Sequence, residues 1–266
     1  MKPLFLIVGV IGLLISLSAQ GEAFNHTPWD GLLNKHVVTI NQGAVSQVDY
    51  DGFARDRAML EHYLKSLQGV SKSAFDGWSK PEQLAFLINA YNAWTIELIL
   101  TEYPDLTSIK DLGSWLKSPW AKAFIPLLGE TRSLDDIEHG LIREEGRYNE
   151  PRIHFAVNCA SIGCPALLPE AFTAEKLTQQ LHKATQHFLQ DRSRNQLKGN
   201  TLYVSKIFDW YGEDFEKGWG GYRKLSQFFV DYSAALGLSD KDAKRIKAGD
   251  IDIEFLDYDW KLNSKR

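Results

Sequence analysis

The sequence predicts an α+β fold in a single domain, with helices packed on a small, mainly antiparallel sheet around one buried helix at about residues 80–103. Three observations point there. Strand-like and helix-like segments are mixed without a regular βαβ rhythm. The segment "SKPEQLAFLINAYNAWTIELILTEY" is apolar on nearly every side from Leu84 to Leu100, as a helix running through a core must be. No Pro/Gly/Ser-rich linker, low-complexity stretch or internal repeat divides residues 24–266, which argues for one globular domain.

The chain opens "MKPLFLIVGVIGLLISLSAQGEAF": one Lys, an uncharged apolar run from Pro3 to Leu17, then Ala19, Gly21 and Ala23 as cleavage-site residues. This is the layout of a secretory signal peptide over residues 1–23, cut near 19–23. The run is shorter than the roughly 20 apolar residues a spanning helix needs, so no stable membrane span is expected after cleavage. No Cys follows it to carry a lipid anchor, and the mature chain is expected to be periplasmic or secreted.

"KHVVTINQGAVSQVDY" reads as two short strands, Val37 to Ile40 and Val45 to Val48, turning at "NQG". A helix follows at about Arg55 to Leu67. The central helix starts at a capping box, Ser79 with Glu82, and tolerates Pro81 in its first turn. In "RSLDDIEHGLIREE" Ser133 caps a short helix carrying Glu138, His139 and Arg143. "RIHFAVN" alternates like a strand, with Ile153, Phe155 and Val157 on one face. Thr173 to Gln190 is a helix, "NQLKGNTLYVSKI" a hairpin turning at Lys198-Gly199-Asn200, and "FDWYGEDFEK" a short helix or turn. Two helices, Tyr222 to Leu236 and Ser239 to Ala248, precede a terminal strand in "DIDIEFLDYDW".

Thirty Lys and Arg against 34 Asp and Glu make the chain mildly acidic, and no long basic run marks it for nucleic acid. Eight Trp, ten Tyr and fourteen Phe point to a dense core and leave material for an aromatic cleft. Asn89 and Asn92, three residues apart, project to one side of an otherwise apolar helix. A buried amide without partners costs about 1 to 3 kcal/mol, so they either tie a neighbouring loop to the core or line a polar cleft and orient a catalytic His. In the next motif His139 and Arg143 share a helix face, and Glu138 or His139 is a candidate general base.

"RIHFAVNCASIGCP" holds both cysteines. In an exported protein Cys159 and Cys164 read first as a disulfide. The competing reading is a thiol nucleophile at Cys159. If residues 154–158 are extended at about 3.3 Å each, His154 sits roughly 16 Å from Cys159, so the base would come from elsewhere, His139 first. His154 would then pair with the Asn89 or Asn92 amide or with Glu138. H-x4-C-x4-C is not a familiar ligand spacing, and neither a metal nor a cofactor is expected. Asp209, Glu213 and Asp214 lie among Phe208, Trp210, Tyr211 and Trp219, the surroundings a sugar-cleaving carboxylate uses, but no second acid is identifiable across a cleft.

"EQLAFLINAYNAWT", "SLDDIEHGLIR", "RIHFAVNCASIGCPAL" and "SKIFDWYGEDF", in this order, resemble the successive motifs of the domain of unknown function 547 family, found in bacteria and plants. The resemblance covers about residues 35–220 and departs at Leu87, where the family often shows Trp. It implies no established reaction. It does imply that Asn89, Asn92, Glu138, His139, Arg143, His154, Asn158, Cys159, Cys164 and Asp209 fall at motif positions. Plant members look intracellular, where a structural disulfide does not persist, which implies a role for the cysteines beyond cross-linking. The expectation is therefore a thiol-dependent hydrolase or acyl transferase of the cell envelope acting on a peptide-like or acyl substrate. Cys159 is its nucleophile, His139 or His154 its base, and Asn89 or Asn92 the group that fixes the imidazole or an oxyanion. The alternative is a non-catalytic periplasmic module that binds a peptide or glycan, stapled by Cys159–Cys164.

Overall fold

A computed structural model describes residues 23–114 and 117–265. The signal-peptide expectation falls, but for Ala23, outside this range. Among the described residues no helix is long and apolar enough to cross a membrane.

The chain begins with α1 (Thr27–His36), the hairpin β1 (Val37–Ile40) and β2 (Val45–Val48), and the helices α2 (Tyr50–Arg55), α3 (Arg57–Gln68) and α4 (Lys72–Asp76). The hairpin is antiparallel with Val37 opposite Val48, as its alternation and "NQG" turn predicted. The long helix α5 (Lys80–Leu100) starts where the capping box says it should: the Glu82 amide donates to Ser79 Oγ, and the Ser79 amide donates to Glu82 Oε2. Apolar all round, α5 is buried from Leu84 to Ile96, and α2, α3 and the Glu138 helix pack against it. One apolar core runs from Trp29 to Ile251 around it.

After α5 come the hairpin β3 (Ile125–Leu127) and β4 (Glu130–Arg132), then a wide, π-type helical turn at Asp136–Ile142. Ser133 caps this turn as expected: its Oγ accepts from the Asp136 amide, and its own amide donates to Asp136 Oδ2. The helix α6 spans Leu177–Gln190. It is followed by β5 (Gln196–Lys198), β6 (Thr201–Val204), α7 (Ile207–Trp210), α8 (Leu225–Asp231), α9 (Asp240–Ala248) and β7 (Asp252–Phe255). The strands form three small sheets rather than one. β5 and β6 are antiparallel, whereas β7 returns after the α8–α9 crossover and lies parallel to β6, with Ile253 opposite Leu202.

Two expectations are corrected. "RIHFAVN" is no strand: Pro151–Phe155 is a tight 3-10 turn. Glu150 Oε1 accepts from the Arg152 amide at its start, Pro151 supplies the first-turn φ, and residues 153–158 are buried without alternation. The second concerns the end of the chain. The terminal strand stops at Phe255, and residues 258–263 become a strap across the cysteine loop. The Ile162 amide donates to the Lys261 carbonyl (2.8 Å), the Gly163 amide to the Asp259 carbonyl (2.8 Å), and the Asn263 amide to the Ala160 carbonyl (3.1 Å).

Candidate functional site

The π-type turn, the cysteine loop, α7 and the strap meet in a cleft of about 280 Å³. It gathers Glu138, His139, His154, Cys159 and Cys164, so five of the residues singled out in the sequence line one space. Replacing the expected strand by a tight turn is what brings His154 to the same cleft as Cys159.

Cys159 and Cys164 are bonded to each other, with their sulfurs 2.12 Å apart. Cys159 is half-buried and Cys164 buried. Their loop is held from three sides. Asn158 Nδ2 donates to the Pro165 carbonyl (2.7 Å), and the Ala160 amide donates to Asn158 Oδ1 (2.9 Å). The Arg194 guanidinium donates to the carbonyls of Cys164 (2.6 Å) and Gly163 (3.1 Å) while pairing with Asp191 (2.8 Å). From the strap, the Tyr258 ring packs so closely on Gly163 that a Cβ there would lie 2.8 Å from ring atoms.

His154 is buried and stacks on Tyr211 with ring centroids 4.0 Å apart. Its Nε2 lies 2.8 Å from Asp214 Oδ2. Asp214, fully buried, also accepts from Arg143 Nε (2.6 Å) and Nη2 (3.1 Å) and pairs with Lys217 (2.6 Å). Burial alone would raise this carboxyl. The hydrogen bonds from His154, Arg143 and Lys217 more than offset it and hold Asp214 well below the usual carboxylate range. An ionised carboxylate only accepts, so the His154 proton sits on Nε2 and its Nδ1 carries the free lone pair. That Nδ1 is buried with no hydrogen-bond partner. Burial lowers the His154 pKa despite Asp214 and Glu138 nearby, keeping the ring neutral and its Nδ1 lone pair unprotonated.

His139 is exposed, and Arg143 Nη1 donates to its Nδ1 at 2.7 Å. Arg cannot accept, so this contact occupies the Nδ1 lone pair of His139. Glu138 is buried beside the Tyr91 and Tyr211 hydroxyls, whose ionisation burial and this carboxylate suppress. Neither histidine is hydrogen-bonded to a sulfur among the described residues. Both sulfurs meet hydroxyls instead, those of Ser161 and Tyr258.

Asn89 and Asn92 do not face an imidazole or the cleft. Asn89 donates to the Phe172 carbonyl (2.8 Å) and accepts from the Phe172 amide (3.0 Å). Asn92 donates to the Ala156 carbonyl (2.9 Å) and accepts from the Asn158 amide (2.8 Å). Both amides are thus spent on loop backbone, and Asn92 anchors the cysteine loop to α5. Asp209 points to solvent and pairs with Lys206, while Ile207, Trp210 and Tyr211 line the cleft beside it. Arg143 acts on His154 through Asp214. Sequence reasoning missed Asp214 as the partner of His154, and it missed Tyr258 and Trp260, which the strap delivers to an aromatic wall with Trp120 and Trp210. No three His, Cys, Asp or Glu side chains among the described residues are grouped to hold a metal ion.

Residues 75–189 match the model of a family described as a protein of unknown function, DUF547. The match contains α5, the Glu138 turn and the cysteine loop, and is narrower than the 35–220 suggested by the motifs, leaving out α7, Asp214 and the strap. No curated protein and no solved structure matches the chain.

Proposed function

From a chain whose central segment belongs to the DUF547 family, for which no reaction is given, we propose a thiol-dependent hydrolase or acyl transferase of the cell envelope. Its nucleophile is Cys159, in the form freed from Cys164. The observation that carries this reading is the free Nδ1 lone pair of His154, whose tautomer Asp214 fixes, in a cleft shared with Cys159. The parts correspond to those of an activated thiol: a nucleophile, a base, and a third group that fixes the base. In the reaction the Cys159 thiolate adds to an acyl carbon. His154 Nδ1 takes the thiol proton and returns it to the leaving group, and water or a second acceptor then releases the acyl group. The aromatic wall supplies a platform for an apolar or peptide-like substrate. Export is part of the proposal and is supported by the leader-like sequence of residues 1–23.

The Trp210 side chain, 42% exposed at the rim, favours a second reading, in which the cleft binds a peptide or glycan and the disulfide is a staple. A hydrolysis panel of thioesters, esters and peptides separates the two. The reduced chain should turn over at least one substrate class, with no turnover by the oxidised chain or by Cys159→Ser. Equal binding of ligand by oxidised and reduced protein without any turnover would favour the second.

A further inference from the structure

The two sulfurs differ in surroundings. Cys159 is the half-buried one, whereas Cys164, on the same cleft, is buried and its Sγ accepts a backbone amide. The Cys159 amide donates to it at 2.9 Å, while the Tyr258 and Ser161 hydroxyls sit between the two sulfurs, 3.2 and 3.4 Å from Cys164 Sγ and 3.1 and 3.3 Å from Cys159 Sγ. With the single Ser161 proton given to Tyr258 Oη at 3.1 Å, the Tyr258 proton is free to turn to whichever sulfur carries the charge. A disulfide sulfur needs few donors, but a thiolate needs several. The Arg194 guanidinium, paired with Asp191, donates to the Cys164 carbonyl and fixes the loop from behind.

We propose that Cys159–Cys164 is a redox-active disulfide that undergoes exchange with a thiol substrate, a small or peptide thiol entering from the cleft. The incoming thiolate RS⁻ attacks Cys159 Sγ and forms RS–S–Cys159. The bond to Cys164 breaks, and its electron pair leaves on Cys164 Sγ, where the Cys159 amide and the Tyr258 hydroxyl receive it. A second RS⁻ attacks the mixed disulfide at the sulfur of the bound RS group, releasing RSSR and the Cys159 thiolate. Two thiols are oxidised to one disulfide, the protein disulfide is reduced to two thiols, and the two protons of the substrate thiols pass to the protein sulfurs or to solvent. The polarity follows from access and from the Cys159 amide: the more exposed sulfur is attacked, and the buried sulfur that accepts the backbone amide leaves. This exchange does not depend on acyl transfer, though it yields the free thiol that acyl transfer requires.

Glutathione serves as the probe with the full, oxidised chain. Samples quenched in acid at intervals are read by peptide mass spectrometry, and the rate is compared with that of the same disulfide in urea-unfolded chain. Expected is a glutathione adduct on Cys159 with a free Cys164, formed faster than in the unfolded chain. Tyr258→Phe should slow the first step about tenfold, the kinetic value of one charge-assisted hydrogen bond. An adduct on Cys164, reduction no faster than in the unfolded chain, or an unchanged rate in folded Tyr258→Phe would overturn the proposal. If that variant does not fold, the comparison of folded with unfolded wild type and the site of the adduct still decide it. A failed hydrolysis panel would leave these outcomes untouched, so the two readings fail separately.

Discussion

Replacing Asp214 by Asn tests the electrostatic centre of the site. Asp214 is buried and faces Arg143, Lys217 and His154. Removing one partner of such a buried cluster costs about 3–5 kcal/mol, because the remaining charges lose their counter-ion. The Lys217 side chain is a third exposed, so it can turn to water, and Asn keeps one acceptor; the lower end, about 3 kcal/mol, is expected. With a urea slope of about 3 kcal/mol per M, the unfolding midpoint falls by about 1 M at pH 7. The loss should depend on pH in a defined direction. The folded Asp214 pKa is depressed, so its stabilisation is present above the unfolded carboxylate value and is lost as pH falls toward the folded one. The gap between wild type and Asp214→Asn should therefore narrow by about 1 kcal/mol between pH 5 and pH 3. Urea titrations followed by near-UV circular dichroism read both effects. A midpoint shift under about 0.3 M at pH 7, or a gap that stays constant with pH, would refute the reasoning.

Other expectations follow from the same geometry. His154 has a depressed pKa from burial, so wild type should lose stability as pH falls below about 6.5 while His154→Gln loses less; equal slopes in urea titrations from pH 7 to 5.5 would count against a buried neutral ring. Asn92→Ala leaves the Ala156 carbonyl and the Asn158 amide unpaired in the core and should cost about 3 kcal/mol by urea unfolding; a loss under about 1 kcal/mol would show that the loop is anchored by other bonds. Gly163→Ala puts a methyl 2.8 Å from the Tyr258 ring, and should displace the strap at a cost of about 1–3 kcal/mol with a changed tryptophan emission, since Trp260 moves with it; unchanged emission and stability would contradict that packing. Reducing the disulfide should lower stability by only about 2 kcal/mol, as expected for so small a loop, and leave the chain folded; unfolding on reduction would mark it as an essential staple.

The elements that were legible in the sequence carry local signals. Ser79, Pro81 and Glu82 fix the start of α5, and its all-round apolarity puts it in the core. The spacing of Asn89 and Asn92 correctly demanded buried polar partners, but these turned out to be the backbone of Phe172, Ala156 and Asn158, far along the chain. The alternation in "RIHFAVN" misled because five residues of period two fit a tight turn buried on all sides equally well, and the deciding signals, Glu150 and Pro151, lie just before it. Nothing local distinguishes buried Asp214 from exposed Glu213 beside it; its partners His154 and Arg143 are 60 and 71 residues away. The strap alternates apolar and polar residues from Tyr258 to Asn263, but its place is set by backbone bonds to the cysteine loop that only the folded chain creates.

Acylation of the reduced chain tests the central claim most directly, that Cys159 is a nucleophile served by His154. The disulfide is opened, reductant removed, a p-nitrophenyl ester added at neutral pH, and the acyl group located by peptide mass spectrometry. A single adduct on Cys159, formed at least about tenfold more slowly in His154→Gln and absent from the oxidised chain, is the predicted result. An adduct on Cys164, no adduct on either sulfur, or equal rates in wild type and His154→Gln would contradict it.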